Sequence, residues 1–211
     1  MRYQLITQIN VFSMLFERLD SQGLKAVLFA GNQVFSQQYH SVGTELILLG
    51  LIAQESSDGN ETSSDTETNL TSFNSLNFFQ NRNITLARVQ AAIRDVLVPI
   101  DTDLSESTLV VSPPSTQVVE VEANYTIASF AFNEGVGFSE RAIRVLTRAE
   151  EIADRGKQRF ISAFHLLLGL LEEGQELIDG QPSNAVRILE YLGVNLHELQ
   201  TQVIQTLQHQ D

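Results

Sequence analysis

Sliding the sequence against itself by 119 positions aligns Leu19–Ile52 with Phe138–Leu171 without a gap. A duplication of that length restricts the fold to two copies of one unit packed together. Leu48-Leu49-Gly50-Leu51 falls on Leu167-Leu168-Gly169-Leu170, and Leu24, Val27 and Ala30 fall on Ile143, Leu146 and Ala149. A second match, at an offset of 110, places Ile84-Thr85-Leu86 on Val194-Asn195-Leu196 and Val89, Ile93 and Leu97 on Leu199, Val203 and Leu207. The offset changes because the segments between the matched blocks differ in length. Each unit reads as two strong helices, a variable middle and a final helix.

In the second unit the punctuation predicts where the helices lie. Ser139 is an N-cap, Ala142, Ile143, Val145, Leu146, Ala149, Ile152 and Ala153 form an apolar stripe at helical spacing, and Gly156 supplies a left-handed residue after a helix over about 139–155. Leu166–Leu171 lies in a short helix with no polar face, which must be buried on most sides. A third helix over Asn184–Leu192 ends at Gly193, and Asn195 with Glu198 resembles a capping box opening a fourth to about Leu207. The first unit repeats this with Asp20 as cap, a helix to about Gln37, and Thr44 capping a buried helix over Glu45–Ala53. Gly23 weakens its first helix by about 1 kcal/mol relative to alanine. Gly50 and Gly169 carry the same cost inside the buried helices, which implies close approach of another helix backbone.

The stretch 54–69 is rich in Ser, Thr, Asn, Asp and Glu and has no Lys or Arg, the composition of a mobile acidic loop. Leu70–Phe79 carries enough apolar residues for the missing third helix. Pro99 closes the first unit, and a linker over 100–137 follows, within which Gln117–Phe132 alternates polar and apolar residues as a short extended, β-like segment would.

Composition removes several classes of function. The longest apolar run, Leu46–Ala53, is broken by Gly50 and falls far short of the roughly 20 residues a membrane span needs. Residues 1–16 show no sustained apolar core or small-residue cleavage site, so a secretion signal is not expected there. With no cysteine, the chain has no disulfide, thiolate nucleophile or Cys-based metal site, which suits a reducing cytoplasm or plastid stroma. The net charge of −13 argues against nucleic acid. Six of the thirteen basic residues lie between Arg141 and Arg159, and this run is either a solvated helix face or a docking face for an acidic partner.

Three stretches carry a resemblance to a known family. Met14-Leu15-Phe16-Glu17-Arg18-Leu19 resembles the start of the Clp N-domain, or Clp repeat domain. His40-Ser41-Val42-Gly43-Thr44-Glu45 followed by Leu46-Ile47-Leu48-Leu49-Gly50-Leu51-Ile52 resembles its second helix, and Leu192-Gly193-Val194-Asn195-Leu196 its final joint. The resemblance, nearest the ClpC type, implies an all-α double Clp N-domain of two pseudo-symmetric four-helix repeats. On this partition residues 1–13 are an extension, 14–99 the first repeat, 100–137 the linker and 138–211 the second repeat. No Gly-x-x-x-x-Gly-Lys-Ser/Thr loop is present to cradle phosphates, so the reading is of a stand-alone, non-enzymatic module with no cofactor or metal. The partners implied are a ClpC-type unfoldase, substrate proteins or adaptors. The alternative, by likeness to the plastid ClpT proteins, is a structural subunit on the Clp protease core.

The four histidines, His40, His165, His197 and His209, sit in no catalytic or metal-binding pattern, and His165, beside the Leu run, reads as packed or hydrogen-bonded. In ClpC-type domains, the resemblance implies, each repeat recognises phosphorylated arginine through a hydroxyl residue at the first cap and an acid after Gly-Thr. The corresponding positions are Asp20 and Glu45 in the first repeat and Ser139 and Phe164 in the second, so neither repeat holds both groups. Asp20 would repel a phosphate, and Phe164 has no charge to offer a guanidinium. The competing reading makes Asp20 and Ser139 helix caps and Phe164 a packing residue.

Overall fold

The computed structural model of the chain describes residues 15–37, 39–57, 78–97 and 137–209. Among the described residues the fold is all-α apart from one pair of two-residue strands. After a helical turn at 15–18 come α1 (Ser21–Gln37), β1 (Ser41–Val42), α2 (Thr44–Ser57), a 3-10 turn (Gln80–Arg82) and α3 (Leu86–Leu97). The second repeat contains β2 (Gly137–Phe138), α4 (Glu140–Arg155), α5 (Ala163–Gln175), α6 (Asn184–Tyr191) and α7 (Leu196–Gln208).

The caps explain most helix starts. Ser139 Oγ accepts the Ala142 amide at 3.2 Å, and behind it Ala142, Val145, Leu146, Ala149, Ile152 and Ala153 are buried while Ile143 is half-buried. Ser183 and Asn195 cap α6 and α7 in the same way, accepting the amides of Val186 and Glu198. Three local expectations are corrected. Gly156 has φ −76°, and the left-handed position after α4 is taken by Lys157 at φ 55°. The Thr44 hydroxyl does not cap its own helix but accepts the Ala185 amide of α6 at 3.3 Å, tying the first repeat to the second. Helix α2 continues past Ala53 to Ser57, four residues into the acidic stretch.

The extra turn of α2 exists because of Glu55. This side chain is only 4% exposed, and both carboxylate oxygens accept the Phe79 amide, at 2.9 and 2.8 Å. The Gln80 side-chain amide donates to the Glu55 carbonyl at 3.3 Å. A buried carboxylate held by amides thus fixes the turn entering the 3-10 segment. Phe78 and Phe79 lie in that turn rather than in a helix; residues 70–77 of the expected third helix lie outside the described residues, as do 1–13, 58–69 and Gln117–Phe132.

The two repeats are interlocked by symmetric strand exchange. β1 and β2 pair in parallel, Val42 opposite Phe138, and an isolated parallel bridge joins Leu19 to Ile161. The 119-residue offset carries Leu19 onto Phe138 and Val42 onto Ile161, so the two pairings are related by the pseudo-twofold. Equivalent hydrogen bonds run from the Ser139 amide to the Val42 carbonyl at 2.9 Å and from the Asp20 amide to the Ile161 carbonyl at 3.0 Å. The core is continuous across the repeats, with α2 packed against α4, α5 and α6 as well as α1.

Glycine makes the tightest crossings possible. A Cβ on Gly50 would lie 2.1 Å from the Ala26 carbonyl oxygen of α1, and one on Gly169 would lie 2.8 Å from the Val145 carbonyl oxygen of α4. Ala26 and Val145 are themselves equivalent under the same offset. The helix-weakening glycines are tolerated because backbones touch there.

Candidate interaction site at the repeat junctions

Strand exchange decides which site residues meet. Ser139, from the second repeat, stands beside Val42, three residues ahead of Glu45 in the first. Asp20, from the first, stands beside Ile161, three residues ahead of Phe164 in the second. Backbone pairing therefore sets Ser139 beside the segment that leads into Glu45, and Asp20 beside the segment that leads into Phe164, each juxtaposition spanning both repeats.

At the first junction, Glu45 in the opening turn of α2 is 6% exposed. Its Oε2 accepts the Asn184 side-chain amide at 3.1 Å, and the carboxylate lies over Gly43, where a Cβ would fall 2.1 Å from Oε1. Among the described residues no cation pairs with Glu45. Nearby, burial raises the Tyr39 phenol above its ordinary value, with the Glu45 charge adding to the shift. The half-exposed Ser139 hydroxyl accepts from Ala142 and keeps its own hydrogen to donate.

The second junction is built differently. Asp20 Oδ1 accepts the Gly23 amide at 2.6 Å as the cap of α1, and burial raises its carboxyl pKa against the lowering effect of the Gly23 and Gln22 amides. Phe164 is 1% exposed and meets the Phe78 ring edge-on, with centroids 5.9 Å apart at 82°. The Arg82 guanidinium lies 4.6 Å from the Phe78 ring centroid and donates to the Phe78 carbonyl at 2.6 Å.

The basic run on α4 is largely occupied within the fold. Arg144 pairs with Glu140 at 2.8 Å and lies 3.8 Å from buried Glu173. Arg148 pairs with Glu176 at 2.9 Å, Arg155 approaches Glu172, and Arg141 donates to the carbonyls of Glu176 and Gln181. Arg18 reaches across from the first repeat to Glu150 and Asp154, at 2.9 and 2.6 Å. These pairings favour the solvated-face reading. His165 is buried; its Nδ1 accepts the Ser162 amide at 3.0 Å in a capping box that starts α5. Among the described residues no three His, Asp or Glu side chains are placed to hold a metal, and no helix is long and apolar enough to cross a membrane.

Sequence comparison matches residues 137–211 to the Clp repeat (R) N-terminal domain. The chain is 27% identical over 195 residues to the chloroplastic chaperone protein ClpC1 of Oryza sativa subsp. japonica, covering 92% of this chain and 16% of that protein. It is 26% identical over 193 residues to the ATP-dependent Clp protease ATP-binding subunit ClpA homolog of Guillardia theta, covering 92% of this chain and 17% of that protein. It thus spans about a sixth of the length of these relatives. Among solved structures, the N-terminal domain of the chaperone ClpD from Arabidopsis thaliana shares the fold, with a TM-score of 0.53 at 21% identity over 91% of this chain and 99% of that one.

Proposed function

We propose, since this chain belongs to the Clp repeat N-terminal domain family, that it is a non-enzymatic binding module of a Clp chaperone and protease system. The observation that carries the reading is the Glu45 junction. A carboxylate taken out of water with, among the described residues, a neutral amide as its one side-chain donor is costly to keep, and a cationic group brought by a partner offsets that cost. In the ligand the family resemblance implies, a phosphorylated arginine, the guanidinium meets Glu45 and the phosphate meets the Ser139 hydroxyl at the N-terminus of α4. Its partners are a Clp unfoldase, substrate proteins or adaptors, in the plastid stroma or the cytoplasm; the chloroplastic relatives support the former location.

Affinity capture on the full chain, followed by identification of the retained proteins, tests this. Recovery of an unfoldase or its substrates, reduced by Glu45→Gln, is the expected result. Recovery of proteolytic core subunits that is indifferent to Glu45→Gln supports a structural subunit instead. Absence of any Clp component from the captured set overturns both.

A further inference from the structure

The pseudo-twofold places two equivalent junctions on the molecule, and their chemistry has diverged. Where the first holds the Glu45 carboxylate, the second holds Phe164, the residue related to it by the 119-position offset. Phe164 is also covered. The edge of one ring meets the face of the other between Phe78 and Phe164, and Phe78 carries the Arg82 guanidinium 4.6 Å from its ring centroid. Edge-to-face aromatic contacts and cation–π stacking both favour this arrangement beyond simple burial.

The cover is anchored at both ends. Glu55 binds the Phe79 amide through two oxygens, and Arg82 returns to the Phe78 carbonyl, so the turn that presents Phe78 is held from α2. Phe79 is fully buried and meets Phe78 edge-on at 5.9 Å. At the first junction the corresponding carboxylate meets the side chain of Asn184 instead of an aromatic ring.

We infer that the Arg82–Phe78–Phe164 stack seals the second junction, so that the chain takes a guanidinium-bearing ligand at only one of its two pseudo-equivalent junctions. The ligand rests on the role proposed for Glu45; the seal does not. The stack fills the position that the Glu45 carboxylate holds at the first junction, the neighbouring Asp20 carboxylate is engaged as the cap of α1, and the rings brace the first repeat against α5 of the second.

Two measurements on the full chain separate seal from ligand. Calorimetric titration with phosphoarginine should give one equivalent bound by the wild type and none by Glu45→Gln. A stoichiometry of two overturns the seal and leaves the proposed ligand standing, whereas one equivalent that survives Glu45→Gln overturns the role proposed for Glu45. The second measurement needs no ligand and uses the absence of native cysteine. In the Phe164→Cys variant a thiol reagent should react at least about tenfold more slowly than in Glu45→Cys, and adding Phe78→Ala should accelerate the former about tenfold and leave the latter unchanged. Circular dichroism confirms that each variant is folded, and Phe78→Leu replaces Phe78→Ala if the latter is not. Equal labelling at the two positions, or indifference to the loss of Phe78, overturns the seal. Slow labelling at position 164 without phosphoarginine binding keeps the seal and overturns the ligand.

Discussion

Replacing Gly50 by alanine adds one methyl group and, for the isolated helix, stabilises it by about 1 kcal/mol. In the folded protein that methyl would sit 2.1 Å from the Ala26 carbonyl oxygen and 2.9 Å from its carbonyl carbon, against 3.4–4 Å for ordinary contact. The obstacle is backbone within α1, so no rotamer change can yield; the helices must separate. Separation loosens the packing of Ala26, Val27 and Ala30, all buried against the core. Overpacking typically costs about 1–3 kcal/mol and occasionally more. At Gly50 the upper end applies, and after the helix gain is subtracted the net loss is about 2 kcal/mol, which for a chain of this size lowers Tm by roughly 4–8 °C. At Gly169 the same methyl would meet the Val145 oxygen at 2.8 Å and the Ala149 nitrogen at 3.0 Å, a smaller displacement. Its net loss should be about 1 kcal/mol. Gly156 is the control, because its φ is −76° and the nearest neighbours of an added Cβ lie at 3.6 Å; alanine there should change stability by less than about 0.5 kcal/mol. Urea denaturation and thermal melts of the three variants measure the series. A neutral or stabilising Gly50→Ala, or a larger loss at Gly169 than at Gly50, would refute a backbone-to-backbone crossing at these glycines.

Core truncation provides a second scale: Leu168→Ala should cost about 2–5 kcal/mol and the exposed Gln205→Ala less than about 0.5, both read by denaturant titration. Glu55→Gln replaces one acceptor oxygen with an amide that cannot accept from Phe79, so stability should fall by about 1–3 kcal/mol and hydrogen exchange at the Phe79 amide should speed up; unchanged exchange would mean that the carboxylate is not the clamp. The carboxyls of Asp20, Glu55 and Glu173 are all raised, chiefly by burial. Their contribution to stability is therefore fully present below the unfolded carboxylate range, roughly pH 4, and is lost as pH rises through the folded values. Relief of self-repulsion in a chain of net charge −13 acts in the same direction, so Tm should rise when pH is lowered from about 7.5 towards 5.5. Glu173→Gln should flatten that rise, and a Tm that falls over the same interval would contradict the sign.

The duplication, the helical class and most helix starts are legible in the order of residues alone. Those signals are local: a Ser or Asn at a cap, a stripe at helical spacing and a glycine inside an all-apolar helix are each visible within a few residues. Even the role of Gly50 and Gly169 can be read this way, since a glycine kept where it weakens a helix implies a close neighbour. Which segments of the two repeats lie side by side is decided by the folded arrangement. The segment before the cap of one repeat and the segment before the acid of the other pair through strands of two residues, too short to leave a periodic signal, and that pairing depends on the relative placement of two halves rather than on spacing along the chain. The same limit hides Glu55, which reads as one more solvated acid in a polar stretch until Phe79, distant in sequence, presents its amide. It also hides the Thr44 hydroxyl, whose acceptor role is taken up by a helix of the other repeat. A single carboxylate or hydroxyl has the same composition whether it faces water or a buried donor, and only the fold supplies the donor.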